Sequence, residues 1–222
     1  MTAAAAAPLP RRAFVLAGLA TLAAPALSGC GAISAIGEAT TPLAVYDLRL
    51  DPALGPRAAG RPLARALVVE LPEVAGVLDN DRILIRPTPL EAQYLPGARW
   101  SDPVAPLVQG LIVRNLEDSG GLRFVGRRPV GAGGDFALIG TLSDFQAEIA
   151  PDGSARVRIR LNARLVRERD AVIIAARVFE TSVAADTSAA LPLVEAFNSA
   201  AGEVIPELGR WVLTTLGARL AA

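Results

Sequence analysis

The sequence predicts an α+β fold. A mixed to antiparallel β-sheet ends in a three-stranded C-terminal meander over about 135–184. A middle helix at about 103–118 and a long C-terminal helix at about 187–219 pack it. Three observations carry this. Val157, Ile159, Leu161, Ala163 and Leu165 alternate with Arg156, Arg158, Arg160, Asn162 and Arg164, the period of two that turns one strand face inward and the other to water. The segments after Trp100 and after Asp186 instead repeat apolar residues at helical spacing. The order strands, helix, strands, helix, with no internal repeat, is that of an α+β chain.

The N-terminus is read first. Arg11 and Arg12 stand before "AFVLAGLATLAAPAL", a run of 15 residues without a charge. A membrane span needs about 20 apolar residues, so the run is short for one. A basic segment, an apolar stretch and a small-residue cleavage region make a secretory signal. Its end, Leu27, Ser28, Gly29 and Cys30, resembles the bacterial lipobox, in which the cysteine thiol takes a diacylglycerol and the chain is cut before it. The expected organisation is therefore a lipoprotein signal peptide at 1–29, a lipid-anchored tether at 30–42 and one periplasmic domain at 43–222. Several acyl chains on Cys30, at about 0.8 kcal/mol per buried methylene, give durable attachment. "RRAFVL" fits a twin-arginine export signal as well as an ordinary basic leader. Gly31, rather than Asp, follows the cysteine, and by the enterobacterial pattern this resembles an outer-membrane lipoprotein. "GAISAIGEATTP" at 31–42 is small and polar, and its twelve residues reach at most about 40 Å.

The domain follows. "LAVYDLRL" at 43–50 alternates and predicts a first strand, and "DPALGPRAAGRP" a loop. "ALVVEL" predicts a central strand, and "PEVAGVLDN" a short helical turn begun by Pro72. "DRILIRP" and "LEAQYLP" predict a hairpin about Pro87 to Pro89. Ser101 or Asp102 is placed to cap the middle helix, with Pro103 in its first turn. Val104, Leu107, Val108, Leu111, Ile112 and Leu116 form that helix's apolar stripe, and Gly120 and Gly121 end it. "LRFVG" predicts a strand. "FALIGTLSDFQAEI", "ARVRIRLNARLV" and "AVIIAARVFETSVA" predict the meander, turned at "PDG" and "RERD". In the last helix, Leu191, Val194, Phe197, Ala201, Val204 or Ile205, Leu208, Val212 and Leu216 recur at helical spacing. Asp186 or Ser188 is placed to cap it, and Pro206 is expected to kink or split it.

Composition excludes several function classes. Basic and acidic residues number 22 each, every basic one is Arg, and two of those lie in the signal. The remaining balance is slightly acidic, which is no footprint of a general nucleic-acid binder. There is no His and one Cys. Ser-His-Asp and Cys-His catalysis are thereby impossible, and with Cys30 acylated no thiolate is left for a disulfide or a metal. We expect no enzyme activity, no metal and no cofactor beyond the covalent lipid on Cys30. A hydrolase using Ser and carboxylates lacks any Ser elbow motif.

Taken in order, the lipobox cysteine, "YDL" at 46–48, "LVVELPEVAGVLDNDRILIR", "YLPGARWSDPVAPLVQGLIVRNLEDSG", the "FALIGTLSDFQAEI" strand and the closing "LVEAFNSAAGEVIPELGRWV" helix resemble one family. It is that of the ABC-type transport auxiliary lipoproteins, the paraquat-inducible protein C-like partners of MCE lipid-transport systems. The resemblance spans roughly 43–216 and rests on "DRILIR", Arg99 with Trp100, and the order of elements. Pro206 departs from the family's unbroken last helix. The resemblance implies a non-enzymatic protein on the periplasmic face of the outer membrane. Its implied partners are an MCE-domain periplasmic protein and an inner-membrane permease and ATPase, with phospholipid as cargo. Some relatives form rings, so a homo-oligomeric ring is a further expectation. The competing expectation is a structural envelope-assembly lipoprotein, a docking ring or tether without cargo.

Two groups are candidate sites. Tyr94, Arg99 and Trp100, in a Pro/Gly-rich connection before the middle helix, are either a partner-binding lip or, for Trp100, helix-to-sheet packing. Arg156, Arg158, Arg160 and Arg164 are either a basic strip for anionic headgroups and acidic partners, or a solvated face balanced by Glu148 and Glu180 on neighbouring strands. "DNDR" at 79–82 has too few oxygen ligands for a cation loop, and "GAGG" at 131–134 lacks the context of a phosphate loop. Asp144 and Glu148 share a strand face without the look of an acid and base pair.

Overall fold

The computed structural model describes residues 43–128 and 134–221. The signal at 1–29 with Leu27, Ser28 and Gly29, the lipidation residue Cys30, the tether and most of the 131–134 glycine segment lie outside the described residues.

Strand β7 (Phe136–Ile149) organises the sheet. It pairs antiparallel with β8 (Ala155–Arg167) along its whole length, from Phe136↔Arg167 to Ile149↔Ala155. At about 3.3 Å per residue it is long enough to take three short strands in succession on its other edge. These are β2 (Leu63–Val69), β3 (Glu73–Val74) and β4 (Arg82–Arg86), all parallel to it. β5 (Gln93–Trp100) pairs antiparallel with β4, β1 (Ala44–Tyr46) parallel with β5, and β6 (Leu122–Gly126) parallel with β2. β9 (Val172–Ala185) closes the meander on β8. The nine strands form one mixed sheet. Two helices, α1 (Val104–Asp118) and α2 (Ala190–Thr215), complete the α+β architecture that the sequence predicts.

Both helices cover one face. The inward residues of β8 are those of the alternation, with Val157, Ile159, Leu161, Ala163 and Leu165 all buried, and the predicted stripe of α1 is buried with them. Trp100 of β5, Phe145 of β7 and Phe197 of α2 meet at the centre. The ring centroids lie 5.8 Å apart for Trp100–Phe145, 5.2 Å for Trp100–Phe197 and 5.0 Å for Phe145–Phe197. Gln109 of α1, itself buried, donates from Nε2 to the Val69 carbonyl at 2.9 Å and so fixes α1 to β2. Among the described residues no helix covers the opposite face of the β7–β8–β9 meander.

Several local expectations are corrected. The first strand is three residues long, because the Asp47 carboxylate accepts from the Leu48 amide at 2.9 Å and from Ser101 Oγ at 3.3 Å and turns the chain out of the sheet. "PEVAGVLDN" is not a helical turn throughout. Glu73 and Val74 are drawn into pairing with β7, and only Gly76–Leu78 forms a 3-10 turn. The Pro/Gly-rich stretch before Trp100 is strand, not connection: β5 runs through it with Pro96 and Gly97 (φ 69°) in a bulge. Neither helix carries a side-chain N-cap. Pro103 and Ala189 occupy those positions, with Thr187 Oγ1 accepting from the Ala189 amide at 2.9 Å. Leu191 is 55% exposed and leaves the inner stripe. Pro206 neither splits nor ends α2, which runs unbroken with Val204, Ile205, Pro206 and Leu208 buried. Tertiary burial on both sides of the proline outweighs the one backbone bond it forfeits.

Candidate functional site

The uncovered face of the meander is built from the polar half of the β8 alternation. Cα pairing sets its rows. Asp144 of β7, Arg160 of β8 and Glu180 of β9 form one row, Gln146, Arg158 and Ser182 the next, and Glu148, Arg156 and Ala184 the third. Arg158 reaches Asp144 at 3.5 Å and Glu180 at 3.1 Å, and Arg160 reaches the other Glu180 oxygen at 3.0 Å. Arg164 donates to Thr141 Oγ1 at 3.5 Å. The middle of the strip is thus internally neutralised, whereas Arg156 has no ion pair within 4.0 Å among the described residues.

At that end of the strip lies a groove of about 730 Å³. Its floor is the end of β7 and β8, one wall is the β4–β5 connection from Arg86 to Pro89, and the other is the end of β9 with Asp186. The β7–β8 turn forms its rim. There the Asp152 carboxylate accepts from Ser154 Oγ at 2.7 Å and from the Ser154 amide at 3.0 Å, which holds its pKa below the ordinary 3.8. Gly153 takes the positive φ of 85° that this tight turn requires. Arg86 and Gln146 line the groove, and neither was singled out by sequence. Their placement depends on parallel β4–β7 pairing across a long insertion, which no local pattern reports.

The other candidate group does not form a lip. Trp100 is 0% exposed and belongs to the aromatic core, so its reading as a surface contact is withdrawn in favour of helix-to-sheet packing. Tyr94 donates its hydroxyl to the Val77 carbonyl at 3.1 Å, accepts from Asn80 Nδ2 at 3.1 Å, and has the Arg82 guanidinium 5.4 Å over its ring. Arg99 is paired with Asp81 at 2.7 Å. Both tie the 76–82 turn to β5, and both stay partly exposed.

One further surface stands out. Among the described residues β9 pairs only with β8, so its second edge presents backbone unpaired by any of them over fourteen residues, flanked by exposed Val172, Ile173 and Val178. Such edges are templates for association. No described helix is long and apolar enough to cross a membrane.

A family model described as the ABC-type transport auxiliary lipoprotein component matches residues 46–208. An uncharacterized protein of Bradyrhizobium diazoefficiens is 30% identical over 180 residues, covering 80% of this chain and 47% of the relative, so the chain spans about half the length of that curated relative. Among solved structures, that of protein XCC0632 from Xanthomonas campestris, assigned to DUF330, is similar at a TM-score of 0.70 and 29% identity, over 77% of this chain and 95% of that one. A second crystal structure, of an uncharacterized protein, shares the fold at a TM-score of 0.59 and 17% identity, over 77% and 99% of the two chains.

Proposed function

Since the chain belongs to the family of ABC-type transport auxiliary lipoprotein components, we propose that it is the outer-membrane lipoprotein of an MCE-type intermembrane phospholipid-transport system. It is held at the periplasmic face by the lipid on Cys30 and docks the periplasmic MCE protein that the inner-membrane permease and ATPase serve. The observation that carries the reading is the extent of the family match, which runs from β1 almost to the end of α2 and so covers the folded unit rather than a fragment of it. Docking needs surface rather than catalysis, and the role we propose is non-enzymatic.

The open meander face and the bare β9 edge suit such a role, because the helices are fully engaged on the other side. A ring of copies on the membrane is compatible with the long free edge. The test is purification of the lipidated protein from membranes. The MCE protein, the permease and the ATPase should co-purify, and should do so from Cys30→Ala cells as well, since docking needs the folded domain and not the anchor. Cys30→Ala should lose acyl-chain labelling and outer-membrane fractionation together. Recovery with none of the three transporter subunits removes the transport reading. Recovery of all three, with phospholipid exchange unchanged in a deletion strain, leaves a docking tether without a cargo role.

A further inference from the structure

The groove at the end of the meander carries an alternating row of charge. Arg86 of β4, Glu148 of β7 and Arg156 of β8 are Cα partners in succession, so their side chains leave the same face side by side. Neighbours in such a row are one strand spacing apart, about 4.7–4.9 Å. Asp186 adds a second carboxylate on the β9 side. None of these four makes an ion pair within 4.0 Å among the described residues, although oppositely charged members stand in adjacent register and line one groove. In the next row Gln146 is 5% exposed. Gln146 also lines the groove; its Nε2 donates to Asp144 at 3.3 Å, while its Oε1 is buried and has no partner among the described residues. An orphan acceptor of this kind is unfavourable unless something donates to it.

We propose that the groove binds a zwitterionic phosphoamine group of the phosphoethanolamine class. A lone anion is poorly suited, because Glu148 stands between the two guanidinium groups and would repel it. A lone cation is opposed by the arginines. A ligand with its ammonium over Glu148 and its phosphate on Arg156 or Arg86 matches the row, since the ethanolamine spacer sets the two charges about one strand spacing apart. The guanidinium takes phosphate oxygens in bidentate fashion. A primary ammonium also has three N–H donors to offer the Glu148 carboxylate, which a quaternary ammonium lacks.

The groove's volume is in the range of small-molecule sites. Pro87 and Pro89 line its outer wall, and Leu90, next in the chain, is 98% exposed. The headgroup chemistry stands on the charge row alone. That the group belongs to a membrane lipid rests on the transport reading.

The test uses the full-length protein in a non-ionic detergent. Isothermal titration with soluble glycerophosphoethanolamine should show one saturable site. Glycerophosphoglycerol and glycerophosphocholine, which lack the primary ammonium, should bind at least tenfold more weakly. Glu148→Gln and Arg156→Gln, both conservative changes at partly exposed positions, should each weaken glycerophosphoethanolamine at least tenfold, with unchanged thermal unfolding. No saturable binding, equal binding of the three headgroups, or binding indifferent to both substitutions overturns the proposal. Co-flotation of the protein lacking its acyl anchor (Cys30→Ser) with phosphatidylethanolamine vesicles, but not with phosphatidylglycerol vesicles, assigns the headgroup to a lipid. Soluble binding without flotation upholds the site and removes the lipid as its source.

Discussion

Gly209 of α2 lies directly against Asn115 of α1, so closely that a Cβ at position 209 would stand 2.2 Å from Asn115 Oδ1 and 3.1 Å from Pro56 Cγ. Asn115 is hemmed in from the other side as well, since a Cβ on Gly55 would meet its Nδ2 at 2.9 Å. The two helices therefore approach through a glycine, and the buried Asn115 Oδ1 has no partner among the described residues. Gly209→Ala should cost about 1–3 kcal/mol by overpacking, despite alanine's better helix propensity. Adding Asn115→Ala should recover part of that loss, so the double variant is less destabilised than the sum of the two singles. Denaturant midpoints of the four proteins decide it.

The aromatic centre makes a second prediction. Trp100 is fully buried between Phe145 and Phe197, and its Nε1 has no hydrogen-bond partner among the described residues. Trp100→Ala should cost about 3–5 kcal/mol through the cavity it leaves. Trp100→Phe keeps most of the packing and removes an unsatisfied donor, so it should cost only about 1–2 kcal/mol. Equal losses for the two variants would show that the indole N–H is satisfied by something other than protein.

What was legible beforehand follows from which forces are local. The β8 alternation is written in consecutive residues, so its buried and polar faces were readable down to individual side chains; of the two carboxylates offered to balance the arginines, Glu180 pairs with Arg158 and Arg160, whereas Glu148 makes no ion pair among the described residues. The stripe of α1 was readable for the same reason. β5 was cut short in prediction because Pro96 and Gly97 look like a loop and are a bulge, held in the sheet by β1 and β4 on either side. For Trp100 the sequence offered both a surface anchor and helix-to-sheet packing, because aromatic and arginine side chains adjoin there, and only the packing of the fold separates the buried ring from its exposed neighbours. The groove was legible only in part: Glu148 and Arg156 fall on adjoining strands of the predicted meander, but Arg86 joins them through β4–β7 pairing across β5, α1 and β6, and that register is a tertiary fact.

The Glu180 bridge should be worth little. Its partners Arg158 and Arg160 have side chains 37% and 42% exposed, and Glu180 itself is 43% exposed, so solvent screens each pair. Glu180→Gln should lower stability by under about 1 kcal/mol, with the loss fading at high salt. Thermal melts at low and high ionic strength check both points. A loss several times larger would mean that the two arginines are desolvated in a way their exposure does not suggest.

The β8–β9 turn holds a left-handed non-glycine residue, Ala171 at φ 54°. A Cβ in that region costs about 1–2 kcal/mol, and glycine avoids the clash at an entropic cost of about 0.5–1 kcal/mol. Ala171→Gly should therefore raise stability by up to about 1 kcal/mol without moving β8 or β9. An unchanged or lowered unfolding midpoint would show that the turn relaxes around alanine at no cost.

The rim of the groove carries the pH dependence. Ser154 donates twice to the Asp152 carboxylate, first through its hydroxyl, and Asp152 in the fold titrates below its ordinary 3.8. A depressed folded value means that the charged form is the one the fold favours. The contribution to stability is therefore complete above the unfolded value and is lost as pH falls through the folded one, so the window lies on the acid side of 3.8. Asp152 is fully exposed, and the effect should show as a titration midpoint rather than as a large change in unfolding. A carboxyl-detected NMR titration should place Asp152 below an unstructured aspartate, and Ser154→Ala should move it back up. The same variant should leave the Arg158 and Arg160 pairs with Glu180 intact, because they lie in rows farther along the strands, beyond the Glu148–Arg156 row. A midpoint that does not move on removal of the Ser154 hydroxyl would mean that the backbone amide alone holds the turn.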